Sequence, residues 1–266
     1  MSHKYASVSW NRQKIRYDTV LALGVISYLA LFIALGALLN PNATAETLII
    51  RAFGTCAILL LHIVLVIGPL CRLSTKFLPL LYNRRHLGVT TFFLGLIHGT
   101  FSLIQFHALG DVNPLISLFI SNTRINSLSE FPFQQLGFAA LIILSLMAAT
   151  SHDFWLKNLT PRVWKTLHMF VYVAYGLLIA HVLLGVLQAE TNPLLAVMLG
   201  LGLTAVLSLH LIAAYREHRQ DANQLSSLHD EFVDVCAVNE IPESRARIVL
   251  LGAERIAVFR YNDSVS

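Results

Sequence analysis

The sequence predicts an all-α membrane protein: a bundle of six transmembrane helices followed by a short C-terminal β-hairpin segment. Of the 266 residues, 56% are hydrophobic and 13% are charged, and the mean hydropathy is +0.65. A water-soluble domain does not need so large an apolar share to fill its core. The net charge of +4 comes from basic residues that cluster between apolar runs, which is typical of membrane topology and excludes nucleic acid as a partner.

Six apolar runs are long enough to cross a lipid bilayer, and the fourth is the shortest. They span residues 19–39, 48–70, 86–109, 133–150, 165–187 and 193–214. In lipid each run must be a helix, because only a helix satisfies its own backbone polar groups within one segment. The sequence therefore predicts a transmembrane domain over 19–214, with 1–18 as an N-terminal segment.

Basic residues alternate between the two sides of the predicted bundle. They are dense before the first span and in the second and fourth connections, whereas the third connection carries only Arg124 and the fifth carries none. Because Lys and Arg accumulate on the cytoplasmic side, both termini are predicted to be cytoplasmic. The expected location is the inner membrane of a bacterium, which the chain crosses several times.

The C-terminal part changes in character after Tyr215. Residues 215–230 form a predicted polar linker, and 231–266 hold predicted strands at 232–238 and on either side of a turn within 246–263. Gly252-Ala-Glu-Arg and Asn262-Asp263 are the turn signals. A hairpin segment of this size cannot bury a core alone, so we expect it to pack on a partner or to begin a domain that the chain does not complete.

The fifth run carries two histidines, His168 and His181, thirteen residues apart. An ionisable side chain inside a membrane helix is costly, so two in one span predict a ligand that occupies them. On a continuous helix they would lie ~20 Å apart along the axis, one toward each side of the membrane. Neutral imidazole is a natural axial ligand for haem iron.

The third run supplies candidate partners at matching depths, because it crosses in the same direction as the fifth. His86 is predicted to pair with His168 near the cytoplasmic side and His98 with His181 near the outer side, which suggests two stacked b-type haems. Arg84 falls within ~40° of the stripe of His98 and is a candidate for a haem propionate.

His62, in the second run, is a further candidate ligand for the inner site. Spacings of 12 and 13 residues do not put either pair of histidines on one stripe of an ideal helix, so spacing alone leaves alternatives open. The histidines are also compatible with a proton-coupled transporter, or with a membrane anchor that holds no haem and docks a redox partner.

At several of these residues the sequence resembles the ferric reductase-like transmembrane family of haem b membrane oxidoreductases. The matching positions are Arg84-Arg85, Leu87-Gly88, His98, Trp164, Leu167-His168, Tyr172 and His181. The resemblance implies one or two haems b, with His98, His168, His181 and His86 as ligands. It also implies that electrons pass from a cytoplasmic iron–sulfur or flavin donor to an outer-face acceptor such as ferric iron.

The C-terminal tail resembles the start of a Rieske-type iron–sulfur domain. The similarity rests on Phe232-Val-Asp-Val-Cys-Ala-Val and Arg255-Ile-Ala-Val-Phe-Arg-Tyr. Such domains hold their [2Fe–2S] cluster with later Cys and His motifs, which this chain does not reach. The resemblance therefore implies a cluster only in a longer form or a partner, and Cys236 is not one of its ligands.

Overall fold

The computed structural model describes residues 11–128, 130–190, 192–225, 234–243, 245–251, 254–261 and 264–265. Within these residues, five helical segments have the length and hydropathy needed to cross a membrane, and a sixth apolar helix has 17 residues. They coincide with the six predicted spans, and the prediction of a multi-pass membrane protein is confirmed.

Most of the long helices begin close to the predicted starts of the spans, and short helices lie between them. In chain order they are α1 (Arg12–Leu39), α2 (Ala45–Leu73), α3 (Leu78–Leu81), α4 (Arg84–His107), α5 (Pro114–Ile120), α6 (Phe133–Ala149), α7 (Asp153–Asn158), α8 (Pro161–Met169), α9 (Val171–Leu184), α10 (Val186–Ala189) and α11 (Pro193–Leu225).

Polar caps start several of these helices, among them α1, α2 and α8. The side chain of Asn11 accepts a hydrogen bond from the backbone N–H of Lys14, and Thr44 caps α2 in the same way. Thr160 caps α8, and Pro161 follows at the first helical position, where a missing N–H costs nothing. Each cap satisfies a backbone donor that the first turn of a helix leaves without a partner.

The predicted fifth span is not one continuous helix. It divides into α8 and α9 at Phe170, whose backbone N–H donates to the carbonyl oxygen of Leu167 in a four-residue turn. A second break follows at Gly185, before α10. Because His168 lies on α8 and His181 on α9, the rotation expected for thirteen residues of ideal helix does not apply to them.

The core of the bundle consists of two closely packed helix pairs, α2 with α4 and α6 with α9. Half of the residues in the most apolar stretch of α2 are buried. Leu61, Leu65 and Tyr175 belong to a hydrophobic cluster that joins α2, α9 and α11. By contrast no residue in the most apolar stretch of α1 is buried, and Leu23 and Ile26 are exposed. Such an apolar surface suits contact with lipid.

The chain divides into two compact units, residues 1–207 and 208–266. In the second unit, β1 (Arg245–Leu251) pairs antiparallel with β2 (Glu254–Tyr261), and β2 pairs with the short strand β3 (Ser264–Val265). The two strands predicted within 246–263 are confirmed. Residues 252–253 and 262–263, where turns are predicted, lie outside the described residues.

The strand predicted at 232–238 is wrong for the described part of that segment. Residues 234–237 form no regular element, and Val238–Glu240 is a short 3-10 helix. A strand needs a neighbour for its backbone groups, and among the described residues β1 pairs only with β2. Residues 232 and 233 are outside the described part. The helix α11 continues through 215–225, the first part of the predicted linker.

Candidate functional site

The structure brings His98 of α4 and His181 of α9 together inside the bundle. Their ring centroids are 6.2 Å apart, and the ring planes cross at 84°. The two histidines come from different helix pairs, so the contact depends on the packing of the bundle and not on a local motif. Predicted partners from the sequence, they are the two candidate ligands that the fold visibly pairs.

The ring of His98 is held by the neighbouring helix α2. Its Nδ1 lies 2.9 Å from the carbonyl oxygen of Ile50, and since a carbonyl only accepts, Nδ1 is the donor. A Cβ atom placed on Gly54 would lie 2.7 Å from the same nitrogen, so the ring occupies space that only glycine leaves free. With its hydrogen on Nδ1, the ring keeps the lone pair of Nε2 for a ligand.

His181 is held in the same manner by α6. Its Nδ1 donates to the carbonyl oxygen of Phe133 at 2.8 Å, and a Cβ atom on Gly137 would lie 2.8 Å from that nitrogen. A histidine that binds a metal commonly donates its other N–H to a carbonyl, which fixes the tautomer and the direction of the ring. Both histidines therefore have the supporting contacts of metal ligands.

The separation of the two rings suits a single iron atom between them. Two imidazoles that bind one metal from opposite sides at ~2 Å place their ring centroids about 6 Å apart. The observed 6.2 Å fits that expectation. Two nitrogen donors are also the protein's whole share of the ligands in haem, because the porphyrin supplies the rest. The residues present fit a haem group.

His168 has a different environment on α8. Its ring stacks on Trp164, with centroids 3.9 Å apart and planes at 25°, and its Nδ1 donates to the carbonyl oxygen of the same residue. The Nε2 atom lies 3.5 Å from the hydroxyl of Ser151, at the outer limit of a hydrogen bond. The tautomer again leaves the lone pair on Nε2.

His86 lies near the start of α4 and contacts α1. Its Nδ1 lies 2.9 Å from a carboxylate oxygen of Asp18 and 3.0 Å from the amide nitrogen of Asn83, which itself donates to the other carboxylate oxygen at 2.5 Å. Ligation by His86 and its pairing with His168 stay predictions.

His62 is buried on α2 but lacks these supporting contacts. It is 6% exposed, and its ring meets the ring of Tyr175 edge-on, with centroids 5.5 Å apart. Its ring also fills the space beside Gly202, where a Cβ atom would collide with it. Within the described part of the chain, neither nitrogen of His62 nor the hydroxyl of Tyr175 has a hydrogen-bond partner.

Two arginines lie at the start of α4. A Cβ atom placed on Gly68 would lie 3.8 Å from the half-buried Arg84 guanidinium, which interacts electrostatically with His168. Arg85 instead forms an ion pair with Asp153 at 2.6 Å, and that hydrogen bond holds the pKa of the Asp153 carboxyl below its ordinary value. Arg84 remains a predicted contact for a haem propionate.

The residues that hold the rings of His98 and His181 were not predicted from the sequence. Gly54 precedes His98 by 44 residues, and Gly137 precedes His181 by the same interval. That repeated interval was the available signal, because equal spacing on successive spans indicates equivalent helix pairs. The partner carbonyls of Ile50 and Phe133 carry no signal, since every residue has one.

Comparison with known proteins places the chain in a family. The family described as "ferric reductase like transmembrane component" matches residues 53–179. The chain is also 32% identical over 159 residues to the protein-methionine-sulfoxide reductase heme-binding subunit MsrQ of Ralstonia nicotianae, across 60% of this chain and 68% of that protein. The chain belongs to the ferric reductase-like transmembrane family.

Two further relatives of the same name are somewhat less fully covered. The Bordetella pertussis protein is 34% identical over 145 residues, which are 54% of this chain and 64% of the relative. The Herminiimonas arsenicoxydans protein is 33% identical over 133 residues, which are 50% and 56%. The chain thus spans from over half to about two thirds of the length of these family members. The family match includes Gly54, His98, Gly137 and His168, and it ends just before His181.

Proposed function

We propose that this member of the ferric reductase-like transmembrane family binds haem b and carries electrons across the membrane. The observation that carries the proposal is the pair of facing rings, His98 and His181, each fixed through Nδ1 with the lone pair of Nε2 left for iron. The relatives named as heme-binding subunits support the choice of cofactor.

The residues of the chain hold the cofactor and control its surroundings. Haem, when bound, supplies a one-electron carrier, and ligation by two imidazoles suits electron transfer because it leaves no open coordination position. His98 and His181 would be the axial ligands, and the carbonyls of Ile50 and Phe133 would make both imidazoles better donors. Apolar packing by Ala140, Leu144 and Ala174 excludes water from the interface of α6 and α9.

A second haem would lie toward the cytoplasmic side, with His168 as one ligand. Its Nε2 has only the long contact to Ser151, and Arg84 is near enough to act on it electrostatically. We propose Arg84 as the contact for a propionate of that haem. The second ligand would be His86 or His62, and their different hydrogen bonding provides a way to distinguish them.

The direction of electron flow follows from the proposed topology. Both termini would be cytoplasmic in a bacterial inner membrane, because basic residues favour that side. Electrons would pass from an iron–sulfur or flavin donor to an outer-face acceptor such as ferric iron. We propose residues 19–214 as the haem-carrying domain and 215–230 as a linker. Residues 231–266 would be a Rieske-like segment, and a [2Fe–2S] cluster would be bound by a partner.

The test is optical spectroscopy of the purified full chain, expressed with an adequate supply of haem. We expect a Soret band, with α and β bands that sharpen when dithionite is added, and a measurable ratio of haem to protein. His98→Ala should lose the haem that His98 and His181 would hold, because one axial ligand is gone. His218→Ala is the matched control, since His218 is an exposed residue of α11.

Wild-type protein without haem would overturn the proposal and leave transport or anchoring as the function. If haem persists unchanged in His98→Ala, the protein binds haem, but His98 and His181 are not its site. A transporter would instead show proton-dependent uptake by vesicles that contain the haem-free chain.

A further inference from the structure

The two helix pairs hold their histidines through the same arrangement of three residues: a residue whose carbonyl accepts, a glycine and the histidine. In α2 a carbonyl oxygen, that of Ile50, is followed four residues later by Gly54, and the histidine they contact comes 48 residues after the carbonyl. In α6 the carbonyl of Phe133 is followed four residues later by Gly137, and the interval to His181 is again 48 residues. The α2/α4 and α6/α9 pairs are therefore equivalent units around one site.

On the basis of the proposed function, we propose that Gly54 and Gly137 are positioning residues that set the planes of the two haem ligands. Each glycine lies one turn after the accepting carbonyl, so the ring must lie flat across the glycine to reach the oxygen. The consequence is that His98 and His181 present their Nε2 atoms with ring planes crossed at 84°.

Alanine at either position would disturb the ring and spare the helix. A Cβ atom at position 54 would lie 2.7 and 2.9 Å from two atoms of the His98 ring, and one at position 137 would lie 2.8 and 2.9 Å from the corresponding atoms of His181. Contacts this short force the ring to turn, and turning breaks its bond to the carbonyl. Alanine is itself the better helix former, so the backbone gives no reason for unfolding.

Two other glycines provide matched controls. A Cβ atom on Gly24 of α1 or on Gly200 of α11 would meet no atom within 4 Å. Gly24→Ala and Gly200→Ala therefore make the same chemical change, also inside apolar helices, without touching a histidine. Neither helix contributes to the His98 and His181 contact.

The experiment uses the full chain with haem bound and compares Gly54→Ala and Gly137→Ala with the two controls. The readouts are the haem-to-protein ratio after dilution and the electron paramagnetic resonance spectrum of the ferric state, whose anisotropy reports the angle between two axial imidazole planes. Loss of a partner that orients a metal-bound histidine commonly weakens metal binding about 10- to 100-fold. We therefore expect at least about tenfold weaker haem retention in Gly54→Ala and in Gly137→Ala. The controls should retain haem like the wild type.

The wild-type spectrum tests the proposal even if a variant does not accumulate. Crossed planes predict a strongly anisotropic low-spin signal, and a signal typical of parallel planes overturns the proposal. The proposal is also overturned if Gly54→Ala and Gly137→Ala have the haem retention and the spectrum of the wild type. That result leaves haem binding itself intact. Absence of haem from the wild-type protein is the distinct outcome that rejects the proposed function.

Discussion

The outer pair, His98 and His181, and the inner pair, His86 and His168, are named for their proposed sides of the membrane and differ in what fixes each ring. In the outer pair each Nδ1 donates to a carbonyl of a different helix, and the rings face each other. In the inner pair His168 bonds to a carbonyl of its own helix and stacks on Trp164, whereas His86 contacts the Asp18 carboxylate.

The difference teaches that rings held by contacts between helices take their separation from the packing of the bundle. The outer rings already have the separation that a shared iron requires, because packing of the helix pairs decides their positions. Of the inner rings, His168 is fixed mainly by its own helix, whereas His86 depends on a contact between α1 and α4. Preorganisation of this kind favours tight binding at the outer site.

The largest expected effect is the contrast between His181→Ala and His86→Ala. We expect His181→Ala to abolish the haem of the outer pair, because the remaining His98 cannot ligate both sides of iron. His86→Ala should leave that haem intact and alter only the inner signal. The measurement is the haem-to-protein ratio with a redox titration of each variant. Equal losses in the two variants would remove the distinction between the pairs.

The next effect concerns the aromatic support of His168. Trp164→Leu removes the stacked face but keeps the backbone carbonyl, so we expect about 1 kcal/mol of lost stability and a shifted inner haem signal. Trp155→Leu is the control, since Trp155 is 39% exposed and packs on Phe154. Thermal unfolding and the optical spectrum measure the two effects. If both tryptophan variants behave alike, stacking on His168 has no special role.

A third comparison uses two histidines of equal burial. His62 and His107 are each 6% exposed, but His107 bonds to the Ser117 hydroxyl at 2.9 Å and to the Gln134 carbonyl oxygen at 2.8 Å. Removing one member of a buried hydrogen-bonded group costs about 1 to 3 kcal/mol, so His107→Leu should lower the unfolding temperature. His62→Leu should not lower it, since no bond is lost.

The same variant decides whether His62 serves the inner site. We expect His62→Leu to keep the full haem content, because the nitrogens of His62 lack a hydrogen-bond partner among the described residues, whereas His98, His168 and His181 each donate Nδ1 to a carbonyl. A lost inner haem signal in this variant would instead make His62 the second ligand, in place of His86.

The smallest effect is the pH dependence of the Arg85 and Asp153 ion pair. The Arg85 hydrogen bond lowers the pKa of the Asp153 carboxyl in the folded protein. A lowered pKa contributes stability above the ordinary Asp value of ~3.9, and that contribution is lost as pH falls through the lowered value. Asp153→Asn should therefore cost about 0.5 kcal/mol near neutral pH.

The check is thermal unfolding of wild type and Asp153→Asn at several pH values. The difference between the two proteins should shrink as the carboxyl becomes protonated in the folded wild type. A difference that stays constant or grows at acid pH would show that the ion pair is not its source.

Much of the fold was predictable, because membrane spans are determined by long apolar runs that read directly from sequence. The pairing of His98 with His181 also followed, since matched direction of two spans gives matched depth. The turn at Phe170 was not predictable, because the residues around it are as apolar as the rest of the span. The strand predicted at 232–238 failed over its described part, 234–238, for the opposite reason: the local pattern suggested a strand, but the described strands pair only with one another.

The supporting residues of the site were harder to predict than the ligands. A histidine in lipid is conspicuous because of its cost, whereas Gly54 and Gly137 resemble the many glycines of membrane helices. Only the contact with a ring distinguishes them from Gly24 or Gly200, and that contact arises from packing between helices.

The turn at Phe170 separates the two ligand-bearing segments of the fifth span mechanically. In an unbroken helix, each residue added between His168 and His181 would swing one ligand against the other by ~100°. With α8 and α9 joined at a turn, a change in tilt or length of α8 can be absorbed there without moving His181 from Phe133 and Gly137. The fold can therefore accommodate changes around His168 while His181 keeps its contacts.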